Sequence, residues 1–281
     1  MIDYTARYGL EFNPFLKNTK DIFLETAEFR EARVRLEYLG ETRGFGVLTG
    51  SPGRGKTTAA RAWAASLSPS RFKVVYSSLS TLTVMDFYRQ IAAGLGAEPG
   101  FRKNDLFNDI QREVNRYALE KRVTPVIIID EADMLSHKIL SDLQIMFNFE
   151  MDSRDRAVVL LAGQPQLNTT LNQSTHESLR QRIVMNYHMG GMTKEEGRDY
   201  INRKLEGAGS RQPVFEENAI EAILNAANGT ARIINKICNR SMMIGANQGK
   251  SVIDADTVRT SVEDNQLGWL FGAIRRTIVW L

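Results

Sequence analysis

Residues Gly50-Ser51-Pro52-Gly53-Arg54-Gly55-Lys56-Thr57 spell G-x-x-x-x-G-K-T. They follow the apolar stretch Phe45-Gly46-Val47-Leu48-Thr49 and precede Thr58-Ala59-Ala60-Arg61-Ala62-Trp63-Ala64-Ala65, a run of good helix formers. Strand, glycine loop and helix in that order are the context in which such a loop holds phosphate. Its glycines let successive backbone N–H groups turn inward around a polyphosphate, and the helix N-terminus adds its partial positive charge. The pattern assigns the cradle to Gly50, Ser51, Pro52, Gly53, Arg54, Gly55, Lys56, Thr57 and Thr58, with ATP and Mg2+ as the expected cofactors. Lys56 is expected to reach the β- and γ-phosphates and the Thr57 hydroxyl to hold the metal.

The rest of the chain is then read as the sheet such a loop requires. Phe72 to Tyr76, the β-branched run Val126-Ile127-Ile128-Ile129, Val158-Val159-Leu160-Leu161, and Ile183 to Met189, which contains Asn186 and His188, read as four further strands. Continuous rather than alternating apolar runs are the mark of parallel strands buried on both faces. Helical patterns cover Glu25 to Leu39, Leu82 to Leu95 with Gly96 as its stop, and Leu106 to Leu119 with Ile110 and Val114 in phase. Five strands alternating with helices predict a three-layer α/β sandwich with right-handed crossovers and a ligand at the carboxyl ends of the strands. From Thr193 on the pattern is helical only. Thr193-Lys194-Glu195-Glu196 is a capping box for a helix to about Leu205, and Glu216 to Ala227, Thr230 to Ala246 and Asp254 to Val262 follow. The expected organisation is an α/β domain over residues 1–189 including an N-terminal linker, a small helical lid domain over 190–264 hinged at Gly190-Gly191, and an amphipathic tail over 265–281.

Bulk properties bound the function. With 281 residues, 43% apolar and 25% charged, the composition is that of a soluble globular protein. A net charge of +3 provides no global field for nucleic acid, so any basic surface must be local. The single Cys238 cannot form an internal disulfide and is read as a buried thiol in a reducing, cytoplasmic compartment. Met1 to Thr5 has no basic, apolar leader, and Leu267 to Leu281, interrupted by Arg275 and Arg276, is too short to span a bilayer, so no integral membrane segment is expected. That tail is strongly aromatic and is expected to cover the helical domain, bind a partner protein or lie on a membrane surface.

Turning over a nucleotide needs a metal ligand and a group to activate water. Asp130-Glu131 closes the third strand: Asp130 is placed to complete the metal shell, and Glu131 to orient and polarise the attacking water. Gln164, after the fourth strand, falls near the ends of the strands that carry the loop and Asp130. Arg180 and Arg182, before the fifth strand, can point across a subunit interface at a neighbour's γ-phosphate. Arg232 lies in the first turn of a helix that Thr230 would cap, where a cation opposes the macrodipole and an anion would compensate it.

These residues resemble the AAA+ ATPases, and within them the ExeA-type branch that also contains the TnsC and Mu B-type transposition regulators. Phe12-Asn13-Pro14-Phe15, Phe23-Leu24-Glu25-Thr26, Arg30-Glu31-Ala32-Arg33, Gly44 to Gly50, Ile129-Asp130-Glu131-Ala132, Gly163-Gln164-Pro165-Gln166-Leu167, Leu179-Arg180-Gln181-Arg182-Ile183 and Gly229 to Asn235 carry the resemblance. It implies that Gln164 is sensor 1, that Arg182 is the arginine finger with Arg180 second, that Arg232 is sensor 2, and that Phe12, Pro14 and Phe15 cover the adenine. Thr230-Ala231 departs from the Asn-Pro pair more usual before the sensor-2 arginine. Secretion members of the branch continue into a membrane span and a periplasmic region, whereas this sequence stops after a short tail. The expectation is therefore a transposition regulator: an ATPase that assembles with itself as a ring or helical filament on duplex DNA, largely without sequence preference, and recruits a transposase. Arg71, Lys73, Arg102 and Lys103 are the candidate phosphate contacts. A secretion ATPase and a slowly hydrolysing nucleotide-gated scaffold are the alternatives.

Overall fold

β-Branched and aromatic residues draw the middle of the chain into five strands, and the glycine- and cap-bounded segments between them form helices. The computed structural model describes residues 4–17, 22, 24–77, 83–149 and 154–266; Phe23, Leu82 and the tail from Leu267 lie outside them. In chain order the elements are α1 (Tyr4–Arg7), α2 (Ala27–Thr42), β1 (Gly44–Thr49), α3 (Lys56–Ser66), β2 (Phe72–Ser77), α4 (Val84–Leu95) and α5 (Lys103–Asn115). There follow β3 (Thr124–Ile129), α6 (His137–Met146), β4 (Val158–Gly163), α7 (Gln166–Leu171), α8 (Glu177–Gln181), β5 (Ile183–His188), α9 (Lys194–Gly207), α10 (Glu217–Ala227), α11 (Ala231–Asn247) and α12 (Ala255–Gln266).

The sheet order is β2-β3-β4-β1-β5, with every pairing parallel. All residues of β1, β3 and β4 are buried, as continuous apolar runs require in a sheet covered on both faces. Alternate residues feed two cores. Phe45, Val47, Ile127, Ile129, Val159 and Leu161 pack with side chains of α4, α5 and α6. Leu48, Val126, Ile128, Val158 and Leu160 pack on the other face with Leu36 and Leu39 of α2 and Ala59, Ala60 and Trp63 of α3. The three-layer α/β sandwich is therefore as the sequence predicts.

Caps follow the local chemistry. Gly96 ends α4 in the left-handed region at φ 90°, its N–H reaching the carbonyls of Ala92 and Ala93, and the Thr193–Glu196 capping box is formed. The helix expected over Leu106 to Leu119 starts earlier, at Lys103, and leaves α geometry at Arg116, where a single π turn spans Arg116–Glu120. The α6 helix, capped by the Ser136 hydroxyl and burying Ile139, Leu140, Leu143 and Met146, was not expected from the sequence.

The chain divides into Glu28–Gly190, which holds the sheet, and a second unit in which the residues before Glu28 group with those from Gly191 on. The expectation of a 1–189 domain therefore fails at its N-terminal end. Tyr8, Leu10 and Phe15 are buried in the helical unit's core with Ile201, Ile223, Ile234 and Met242. Polar bonds fix the same placement: the Tyr8 hydroxyl donates to the Met242 carbonyl, Glu11 N–H to the Ala208 carbonyl, and Asn13 and Tyr4 both donate to Asn239 Oδ1.

Candidate nucleotide site

β1 delivers the chain into the glycine loop at the carboxyl edge of the sheet. Gly53 and Gly55 take φ of 81° and 99°, a region that L side chains avoid. Gly50 is needed for a different reason: a Cβ there would sit 2.8 Å from the Met189 carbonyl oxygen. The α3 helix begins at Lys56, so its free N–H groups face the loop. The Lys56 ammonium is buried and donates to the carbonyls of Gly50 (2.7 Å) and Ser51 (3.2 Å).

At the end of β3, Asp130 is buried, and its N–H donates to Ser77 O (2.9 Å) as the last rung of the β2–β3 ladder. Its Oδ2 accepts from Thr57 Oγ1 at 2.8 Å and from the Tyr76 hydroxyl at 2.9 Å, while Oδ1 accepts the Glu131 N–H at 2.9 Å. The two residues assigned to metal are thus hydrogen-bonded across the loop–strand gap. Desolvation, and next the bond to Asp130, push the Tyr76 phenol up to about 12. Glu131 is exposed and left-handed, at φ 53° and ψ 35°, a conformation costing a non-glycine residue about 1–2 kcal/mol. Such strain collects where a side chain must be aimed.

Because β4 lies between β3 and β1, the residue after it falls between Asp130 and the loop. That residue is Gln164, whose N–H is held by Asp133 Oδ1 at 2.8 Å. Asp133 was missed in the sequence. So was a polar chain at the same edge: Thr49 Oγ1 lies 3.1 Å from His188 Nδ1 and accepts from Asn168 Nδ2 (3.2 Å), whose Oδ1 accepts from Asn186 Nδ2 (3.3 Å). Pattern reading has no signal for such long-range pairs beyond polar residues inside apolar runs.

Several assignments change. Arg182 donates to the carbonyls of Gln144 (2.8 Å) and Phe147 (2.7 Å), pairs with Asp155 (3.3 Å), and lies over the Phe45 ring. Its side chain is only 11% exposed, so it is committed within its own chain and is a poor arginine finger. Arg180 is exposed and donates to the Asn172 carbonyl (3.0 Å). Arg232 is exposed at the head of α11, but Thr230, the expected cap, makes no side-chain cap bond. Pro14 and Phe15 are buried in the helical unit, and the Pro14 carbonyl accepts from buried Lys204 (2.8 Å). Their apolar surface is thus spent on that unit's packing rather than held open for an adenine.

The basic candidates also separate. Lys103 pairs with Asp142 at 2.6 Å and is thereby tied to α6, whereas Arg102 beside it is exposed. Arg71 is exposed and stacked on the Phe72 ring, and Lys73 lines a cavity of roughly 570 Å3 with Tyr117 and Lys121. Arg71 and Lys73 stand at the start of β2, at the sheet edge opposite the glycine loop.

The donor set suits an anion with a hard cation. Thr57 and Asp130 offer oxygen ligands of the kind Mg2+ prefers, and Arg54 in the loop has a buried Nη1 with no hydrogen-bond partner among the described residues. No group of three or more His, Cys, Asp or Glu that could hold a metal occurs among the described residues. No described helix is long and apolar enough to cross a membrane.

A glycine loop between β1 and α3, an acidic pair ending β3, and a five-stranded parallel sheet followed by a helical region form the P-loop AAA+ fold. Residues 39–171 match the family model described as AAA domain. The chain is 30% identical over 256 residues to General secretion pathway protein A of Aeromonas hydrophila, covering 89% of this chain and 46% of that protein. It is 27% identical over 186 residues to an uncharacterized HTH-type transcriptional regulator of Methanocaldococcus jannaschii, covering 64% and 44%. The chain thus spans less than half the length of these curated relatives. Among solved structures it is similar to Cdc6p from Pyrobaculum aerophilum, with TM-score 0.64 and 18% identity over 89% of this chain and 70% of that one. The Aeropyrum pernix ORC1 protein in complex with DNA gives 0.64 and 18%, over 90% and 69%. The RuvB Holliday junction branch migration motor of Thermotoga maritima gives 0.57 and 20%, over 84% and 68%.

Proposed function

We propose that this chain is a Mg2+-dependent ATPase that assembles with further copies of itself and works in the cytoplasm. The observation that carries the reading is the 2.8 Å bond from Thr57 to Asp130, which joins the phosphate loop to the acidic strand end. In this reading the loop N–H groups and Lys56 hold the β- and γ-phosphates, and Thr57 and Asp130 hold the metal, whose chemistry is to neutralise charge on the phosphate oxygens. Glu131 accepts the proton of the attacking water, and Gln164 orients that water and the γ-phosphate. Arg180 of one copy, rather than Arg182, meets the developing charge on its neighbour's nucleotide. Lys56→Ala should abolish nucleotide binding, and Glu131→Gln should keep binding while stopping turnover. Unchanged turnover in Glu131→Gln would sink the assignment.

Two outputs follow from one engine. An ATPase of secretion assembly is supported by the similarity to General secretion pathway protein A. An ATP-dependent assembly on duplex DNA that recruits a transposase is supported by exposed Arg71 and Arg102 and by the neighbour solved in complex with DNA. Electron microscopy with duplex DNA and a non-hydrolysable ATP analogue separates them. Nucleotide-dependent rings or filaments whose affinity falls steeply with salt support the DNA output; no association at low salt excludes it.

A further inference from the structure

We infer that Tyr76 is a positioning residue for the metal: its hydroxyl sets the orientation of Asp130 and thereby the Mg2+ requirement of the nucleotide site. The inference rests on the ATP–Mg2+ reading and goes beyond the loop and acidic-pair residues that define it. Tyr76 is the penultimate residue of β2, paired in register with Ile128, and it donates to the same Asp130 oxygen as Thr57, at 2.9 and 2.8 Å. With Glu131 N–H on the other oxygen, donors hold the carboxylate at both oxygens. Tyr76 is 46% exposed as a residue, but its hydroxyl is desolvated beside Asp130, and the partner it finds there is the metal-facing Oδ2.

The hydroxyl also stands in a charged setting, with Arg61 and Glu131 as well as Asp130 acting on it. Freed from it, Asp130 keeps Thr57 and the Glu131 N–H but gains rotation about its terminal torsion, which is broad and weakly restrained. A ligand oxygen that must be ordered on binding holds its cation less tightly.

The test is binding of a fluorescent ATP analogue, titrated with Mg2+ and separately in EDTA, for the wild type, Tyr76→Phe and Tyr76→Ala. Tyr76→Phe keeps the ring and removes one hydrogen bond, so the Mg2+ concentration for half-maximal binding should rise roughly three- to tenfold. Affinity in EDTA should stay at the wild-type value. A Tyr76→Phe midpoint equal to the wild type, with only Tyr76→Ala impaired, makes the ring a packing group and overturns the inference. A lower midpoint also overturns it, since Tyr76 would then compete with the metal. A wild type whose nucleotide binding ignores Mg2+ removes the ATP–Mg2+ reading itself, and this inference with it.

Discussion

Replacing Arg182 by alanine should cost stability rather than catalysis. Its guanidinium reaches the carbonyls of Gln144 and Phe147, which belong to the C-terminal turn of α6 and the residue capping it. Those are acceptors that the helix cannot satisfy internally, at its negative end. Each hydrogen bond to a charged group is worth about 1.5–3 kcal/mol net, and the two together are less than additive because water reaches part of the gap. A loss near 3 kcal/mol is the working figure, or roughly 6–12 °C in unfolding temperature for a chain of this size. Arg180→Ala removes one bond at an exposed position and should move stability by no more than about 0.5 kcal/mol. Its effect belongs in turnover, measured against protein concentration so that assembly is sampled. Calorimetry of both variants beside steady-state phosphate release makes the comparison. An Arg182→Ala protein that unfolds with the wild type yet has lost turnover would refute the anchoring and return Arg182 to the role of finger.

Glu131→Gly should relieve the left-handed backbone and raise stability by about 1 kcal/mol while abolishing turnover, read by thermal unfolding and phosphate release. Gly46→Ala should destabilise by about 1–3 kcal/mol, because the new Cβ lies 2.3 Å from Leu39 Cδ2; Leu39→Ala in the same chain should recover part of that loss, and strict additivity in a double-mutant cycle would disprove the contact. His176 is lowered from its ordinary 6.5 by burial and then by His137, whose Nδ1 lies 2.8 Å from its Nε2. The folded state therefore binds fewer protons than the unfolded one below pH 6.5, so this stability is present above that value and is lost as pH falls toward the folded pKa. Denaturant midpoints between pH 7.5 and 5 should decline, and His176→Gln should flatten the decline.

The sheet and the acidic pair were legible because each rests on local sequence: an apolar run long enough for a strand, ended by the two carboxylates proposed to bind metal and water. Asp130 needed no more than the four β-branched residues before it. Tyr76 was not legible, since its partner is 54 residues away and only the β2–β3 register brings them together. Arg182 was misread for a related reason. Its partners sit on α6, whose signal, Ser136 followed by Ile139, Leu140, Leu143 and Met146 at helical spacing, went unused between two clearer strands. The N-terminal segment misled through its position in the chain, which sets it before β1, whereas Tyr8 and Phe15 bury their rings among residues two hundred positions later.

The fixing of Arg182 has a consequence for the residue two places before it. The short α8 is pinned on one side by Leu179, fully buried, and just past its end by the bonded guanidinium, with Arg180 exposed between them. The segment is thus anchored on both sides of Arg180. A copy that docks there meets a stiff mount, and the entropy given up on association falls on one side chain, about 0.5–1.5 kcal/mol, instead of on a whole loop.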